Sequence, residues 1–193
     1  MEADWEFEIG GDAPIIDACW PGFVDLRWHP QQHSGASQLL KRIPEAVAFP
    51  PLAAALARLN QQRSPVWTSK CDFWPSLASG EFDADEMDAT EVEAADAMGC
   101  YIDLLPRSDQ QWNFPKKLVS DCKHLCDRLR AMPLRCCRVD LMVRRARITP
   151  DLMDTGITAY FTGCGKTVTD ARQALAAALE AFADVLCPDS TVQ

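Results

Sequence analysis

Four aspartates in this chain each stand alone inside a short apolar run, with a basic residue close by. These aspartates are Asp25, Asp72, Asp103 and Asp140. Converging carboxylates can bind a hard cation or form an acid–base pair with separated pKa values. Paired with neighbouring cations, they instead contribute about 0.2–1 kcal/mol per pair to a solvated sheet surface. Ion pairing is the favoured interpretation, and a ligand site is the alternative.

The runs that contain these aspartates have the period of β-strands. Successive side chains of a strand point to opposite faces of the sheet. Alternation places Val139, Leu141 and Val143 on one face and their charged neighbours on the other, and the remaining runs repeat this pattern. We therefore predict a sheet with one apolar face and one charged face. The ligand-binding candidates on the charged face are Asp25, Arg27, Lys70, Asp72, Asp103, Arg107, Arg138, Asp140 and Arg144.

The segment Gly163-Cys164-Gly165-Lys166-Thr167 ends as a phosphate-binding loop does, between a predicted strand and a predicted helix. The full pattern requires a glycine five residues before Gly165, where this chain has Tyr160. A helix N-terminus beside a lysine can still hold one anion. Lys166 and Thr167 are therefore anion-binding candidates, although a turn followed by a capped helix is the favoured interpretation.

The cysteines predict neither a metal site nor a disulfide framework. Cys122 and Cys126 share one helix face with the core stripe, and two thiolates do not complete the four ligands that zinc prefers. The nine cysteines are an odd number without disulfide spacing, which indicates reduced and mostly buried thiols. We predict no metal and no cofactor.

The net charge of −9 is spread unevenly along the chain. Residues 1–100 contain 17 acidic and 6 basic residues, whereas residues 101–193 contain 11 and 13. The acidic excess argues against nucleic-acid binding, despite seven arginines between positions 128 and 147. No apolar run reaches the roughly 18 residues of a membrane span, and the acidic N-terminus lacks a secretory signal. We predict a cytoplasmic protein with no membrane partner.

Apolar periodicity and turn residues predict a single α+β domain over residues 1–193. Residues 29–48 read as a loop, and residues 76–98 read as an acidic mobile segment that runs into an exposed helix. The predicted fold is a two-layer sandwich, with amphipathic helices on one face of a mostly antiparallel sheet. Strands are predicted at 5–9, 15–28, 66–74, 101–105, 135–148 and 156–162, and helices at 49–59, 113–132 and 167–186.

Two stretches of the chain, 15–75 and 99–148, share a strand–helix–strand order. Each contains a Phe-Pro pair at the start of its helix, Phe49-Pro50 and Phe114-Pro115, and a cysteine at a similar distance beyond it. A duplicated unit is therefore predicted. The order of elements resembles the ferredoxin-like arrangement in outline, and that arrangement hosts many unrelated functions.

Two classes of function are compatible with these features. The first is a non-catalytic interaction or dimerisation module that binds a second copy or another protein through the charged face of the sheet. The second is an enzyme or small-ligand binder with an Asp/Arg site for a metal- or phosphate-containing ligand on that face. RNA binding is a weaker third reading, because Tyr101 and Tyr160 are the only aromatic residues predicted there.

Overall fold

The computed structural model describes residues 1–18, 20, 22–27, 36–78, 80–107 and 116–188. Within them a mixed α+β fold contains one six-stranded sheet and five α-helices. The strands are β1 (Glu2–Glu8), β2 (Ile16–Asp17), β3 (Val66–Trp74), β4 (Asp96–Pro106), β5 (Cys137–Thr149) and β6 (Leu152–Gly165). The helices are α1 (Ala36–Leu40), α2 (Pro44–Ala48), α3 (Pro50–Leu59), α4 (Lys116–Arg130) and α5 (Val168–Leu186).

The sheet has the strand order β1-β5-β6-β4-β3, and β2 pairs with β5 beyond the end of β1. The β3·β4, β4·β6 and β5·β6 pairs are antiparallel, whereas β1 and β2 both run parallel to β5. The consecutive strands β5 and β6 form an antiparallel hairpin. The parallel pairing of β1 joins the N-terminus to a strand more than 130 residues away in the chain.

The main core lies between the sheet and the three longer helices, which all cover the same face. Val139, Leu141 and Val143 of β5 are buried in this core, as the alternation of the sequence predicted. The apolar stripe of α4, including Cys122 and Cys126, packs there too. The eight described cysteines are free thiols, and burial raises the pKa of Cys122 to about 12.

Two segments in the first fifty residues differ from their predicted secondary structure. Among the described residues of the predicted strand 15–28, Ile16–Asp17 is the only strand, and residues 23–27 have no regular structure. The predicted loop 29–48 contains the short helices α1 and α2 in its described part, which begins at residue 36. In the second segment Pro44 does not interrupt a helix but starts α2, because proline is tolerated in a first helical turn.

One end of the charged face is covered by what we call the Ile16 cap, the described residues from 16 to 27. Ile16, Ala18 and Phe23 pack against Trp67 and Leu105 in a small core of their own. A Cβ on Gly156 of β6 would lie 2.8 Å from Cδ1 of Ile16 and 3.0 Å from the carbonyl oxygen of Leu104, so the cap and the sheet are in close contact at this glycine. The cap leaves less of that face open than the sequence suggested.

The opposite end is covered by the Met87 cap, residues 76–95, of which residue 79 lies outside the described residues. The predicted exposed helix does not form: a 3-10 turn spans Asp85–Met87, and β4 begins at Asp96. Met87 is 1% exposed and packs with Ala94 and Cys164. The acidic residues point outward, and a few apolar residues anchor the segment. The apolar residues are not spaced with a helical period, which explains why no helix forms.

Candidate functional site

Between the two caps, the face of the sheet away from the helices remains uncovered by the described residues. We call this surface the open face. It contains charged and aromatic side chains from five strands. Its members are Asp4, Glu6, Glu8, Lys70, Asp72, Trp74, Gly99, Tyr101, Asp103, Arg138, Asp140, Met142, Arg144, Thr158, Tyr160 and Thr162.

Strand register aligns one row of these residues across the whole sheet. Asp72 of β3 lies opposite Tyr101 of β4, which lies opposite Tyr160 of β6. Tyr160 in turn lies opposite Asp140 of β5, and Asp4 of β1 follows. Directly opposed residues on neighbouring strands have their Cβ atoms about 4.5–5.5 Å apart. Two tyrosines are therefore flanked on both sides by carboxylates.

An aromatic row runs through the middle of the open face. The ring centroids of Trp74 and Tyr101 are 5.8 Å apart, as are those of Tyr101 and Tyr160. All three side chains are half-buried. Desolvation raises the pKa of Tyr101 to about 12. Trp74 was not among the residues predicted for the site, although its position at the end of an alternating strand could have placed it there.

Arg144 organises the side of the open face formed by β1, β5 and β6. Its Nε donates to Oε2 of Glu8 at 2.8 Å. Its Nη1 donates to Oγ1 of Thr158 at 3.1 Å and to the hydroxyl of Tyr160 at 3.0 Å. The side chain is only 13% exposed, so its bonds are shielded from water. The sequence pattern identified Arg144 but not Glu8, which becomes its partner only through the parallel pairing of β1.

Asp103 is the most buried carboxylate of the open face, with 5% of its surface exposed. Oγ1 of Thr158 donates to its Oδ1 at 2.6 Å. Desolvation raises the pKa of Asp103, and the Thr158 bond and the charges of Lys70 and Arg144 oppose this rise. A carboxylate held in this way destabilises the fold when it is ionised.

We expect Asp103→Asn to raise the melting temperature at pH 7. The folded protein binds the Asp103 proton more tightly than the unfolded chain, so ionisation disfavours folding above its raised pKa. The advantage of the asparagine should shrink as the pH falls through that pKa and should vanish below the usual value of 3.8. Thermal melts from about pH 3, below the usual carboxyl pKa, to about pH 8, well above it, check this.

Asp151→Asn, in the exposed turn between β5 and β6, is the matched control and should leave the melting curve unchanged. A lower melting temperature for Asp103→Asn at pH 7 would contradict the expectation. It would mean that the Thr158 bond to the charged carboxylate contributes more than its desolvation costs.

The remaining predicted candidates are divided between the open face and other places. Arg138 bridges Asp140 at 2.8 Å and Glu86 of the Met87 cap at 2.9 Å. Arg107 lies outside the open face, where it donates to the carbonyls of Asn60 and Gln61 and holds the connection between α3 and β3. The nine candidates therefore do not converge on one point.

Asp25 and Arg27 also lie outside the open face, because the segment that contains them is not a strand. Nε of Arg27 donates to Oδ1 of Asp25 at 2.8 Å. The guanidinium of Arg27 lies 4.6 Å from the ring centroid of Trp67. The pair belongs to the Ile16 cap.

The proposed anion-binding residues lie at the start of α5. The strand β6 continues through Gly165, so only Lys166 and Thr167 separate it from α5. Oγ1 of Thr167 accepts a hydrogen bond from the backbone N–H of Asp170 at 3.2 Å and donates to its carboxylate at 2.8 Å. Lys166 is exposed. The glycines of this segment allow α5 to approach the sheet, which is a sufficient reason for their presence.

Side chains of β1, β5 and β6 line an open groove of about 700 Å³. Asp4, Glu6 and Asp140 contribute carboxylates to its lining, and Arg138 and Arg144 contribute guanidinium groups. Within the described ranges no group of three or more His, Cys, Asp or Glu residues is arranged to hold a metal ion. The chemistry offered by this surface is therefore ion pairing, hydrogen bonding and aromatic stacking.

Comparisons with protein-family models, with curated proteins and with solved structures found no match to this chain. Within the described part of the chain, no helix is both long and apolar enough to span a bilayer.

Proposed function

We propose that this protein is a non-catalytic interaction module that binds a basic protein partner through the open face. The observation that carries the proposal is the aromatic row of Trp74, Tyr101 and Tyr160, flanked by carboxylates on a sheet face that the described residues leave uncovered. Aromatic residues are enriched in protein interfaces, where they supply large contact areas and a polar group for orientation.

Charge supports a basic partner. The open face carries six carboxylates and three basic side chains, and the chain as a whole has a net charge of −9. Complementary charge steers a partner toward the surface and fixes its orientation. A second copy of the chain fits less well, because dimerisation through this face would bring two acidic surfaces together.

The two caps and the Arg144 network support a preformed surface. Both caps have buried apolar anchors, and the central side chains are held by bonds to neighbouring strands. A rigid surface loses less conformational entropy on binding than a mobile one. Little reorganisation should therefore accompany partner binding.

The proposal is tested by site-specific photo-cross-linking in the native cell. The cross-linker p-benzoylphenylalanine replaces Glu6 or Thr162 on the open face, and replaces the exposed Gln173 on α5 as a matched control. We expect adducts with one protein of basic surface from the first two positions and none from the third. Adducts only from Gln173, or only with further copies of this chain, would contradict the proposal.

The purified partner then permits an affinity measurement with conservative variants. Asp140→Asn removes one open-face charge, and Asp151→Asn removes one charge from the distant β5–β6 turn. We expect the first variant to weaken binding about tenfold at low salt and the second to leave it unchanged. Binding that does not depend on ionic strength would count against a basic partner.

A small-ligand site is the second candidate, favoured by the buried carboxylate of Asp103 and its raised pKa. A thermal-shift screen with divalent metals, nucleotides and phosphorylated metabolites tests it, because a ligand of the folded state raises the melting temperature. A ligand-induced rise in melting temperature that disappears in Asp103→Asn would favour a ligand-binding function over the interaction module.

We also propose a relation to the ferredoxin-like arrangement, and a cytoplasmic location consistent with free cysteines. The helix α4 connects β4 to β5, and β6 lies between these two strands, which is a split β–α–β connection. The duplication of 15–75 and 99–148 has less support, because residues 23–27 form no strand. This relation implies no activity.

A further inference from the structure

We propose that the partner inserts an arginine side chain over Tyr101 and Trp74, where its guanidinium pairs with Asp72. This inference rests on the proposed function and names the group that the open face would recognise. It concerns the end of the aromatic row on β3 and β4, away from the Arg144 network.

The geometry of this end leaves two aromatic side chains beside one carboxylate. Asp72 and Tyr101 are directly opposed on β3 and β4, and Trp74 is opposed to Gly99. A Cβ on Gly99 would lie 3.1 Å from Cε3 of Trp74, so the indole lies close over this glycine. With its ring centroid 5.8 Å from that of Tyr101, the indole forms an aromatic surface continuous with the phenol.

Asp72 differs from the other three aspartates of the original pattern. Asp25 and Asp140 are paired with arginines, and Asp103 is buried and bonded to Thr158. Asp72 accepts the backbone N–H of Phe73 at 2.7 Å and has no ion pair with any described residue. The nearby Lys70 instead lies 5.6 Å from the ring centroid of Trp20. The half-buried carboxylate of Asp72 therefore has neither the arginine partner of Asp140 nor the side-chain hydrogen bond of Asp103.

An arginine suits this position better than a lysine. A guanidinium is planar, stacks on aromatic rings and offers parallel N–H donors to a carboxylate, whereas an ammonium is compact and strongly hydrated. The protein already stacks its own guanidinium groups in this way. Arg27 lies over Trp67 at 4.6 Å, Arg172 over Phe49 at 4.8 Å and Arg144 over Tyr160 at 5.6 Å.

The test is a nuclear magnetic resonance titration of the full chain with N-acetyl-L-arginine amide, without the biological partner. The lysine and citrulline analogues are the ligand controls, since citrulline has the shape of arginine without its charge. We expect saturable shifts of the Trp74 indole N–H and the Tyr101 amide, with millimolar affinity. The arginine analogue should bind at least about threefold more tightly than the lysine analogue.

Asp72→Asn should weaken arginine binding about fivefold, whereas Asp4→Asn, on the exposed far edge of the same face, should not. Trp74→Leu provides a second variant that removes the stacking surface and leaves the carboxylate. Equal shifts with the citrulline analogue, unchanged affinity in Asp72→Asn, or shifts located elsewhere would overturn the inference. If any of these results occurred together with cross-links from the open face, the proposed function would be retained. Only the inference that the partner inserts an arginine would be rejected.

Discussion

Replacing Gly163 with alanine is expected to lower the free energy of unfolding by about 3 kcal/mol, or to prevent folding at 37 °C, a common growth temperature. Gly163 is buried in β6 on the face that α5 covers. A Cβ at this position would lie 2.4 Å from the backbone N of Leu175 and 2.7 Å from its Cα. These atoms belong to the helix backbone, which cannot rotate away as a side chain can.

The helix would have to move as a unit to accept the methyl group. Leu175, Ala178 and Phe182 of α5 are all fully buried, so a shift of the helix would open gaps along the main core. Urea unfolding followed by circular dichroism measures the loss of stability in Gly163→Ala.

Gly165 has a similar contact, because a Cβ added to it would lie 2.4 Å from Cβ of Asp170.

Gly10→Ala is the matched control for Gly163→Ala. Gly10 lies in the turn after β1, and an added Cβ would have no atom within 4 Å apart from those of Gly10 and its two chain neighbours. The substitution Gly10→Ala should change the free energy of unfolding of the protein by less than about 0.5 kcal/mol. If Gly163→Ala were as stable as this control, α5 would not pack on β6 at the distance described.

Arg144→Ala is expected to lower the free energy of unfolding by about 3 kcal/mol. The change removes the bonds to Glu8, Thr158 and Tyr160 and leaves the Glu8 carboxylate without its cation. Because Arg144 is 13% exposed, water replaces these bonds poorly. The loss should also raise the pKa of Asp103 further, since the charge of Arg144 lowers it in the intact protein.

The control for this change lies three residues along the same strand. Arg147 pairs with Asp17 at 3.3 Å, and its side chain is 50% exposed. Arg147→Ala should therefore cost less than about 1 kcal/mol. Equal losses for the two arginines in urea unfolding would mean that burial does not strengthen the Arg144 network.

Adding Glu8→Gln to Arg144→Ala completes a double-mutant cycle. If the uncompensated Glu8 carboxylate causes part of the loss, the second substitution should restore about 1 kcal/mol. If Glu8→Gln did not restore stability, the loss in Arg144→Ala would come from the hydrogen bonds to Thr158 and Tyr160, which are uncharged partners.

Secondary structure was predictable wherever one local period extended over many residues. The strand Val66–Trp74 has the predicted bounds, and the capping pair Thr167 and Asp170 marks the start of the last helix as predicted. Prediction was wrong for the described parts of 15–28 and 29–48, where short elements leave too few residues to define a period. Helices of five residues, such as α1 and α2, depend on tertiary packing rather than on propensity.

The amino-acid sequence by itself determined which faces are apolar, because alternation along a strand and the helical repeat are local properties of the chain. It therefore identified Asp103, Asp140 and Arg144 as residues of a charged face. Only the tertiary structure decided their partners. Glu8 reaches Arg144, and Tyr101 lies between Trp74 and Tyr160, through pairings of strands distant in the chain. Such pairings follow from the joint packing of all apolar faces into one core, which no local pattern specifies.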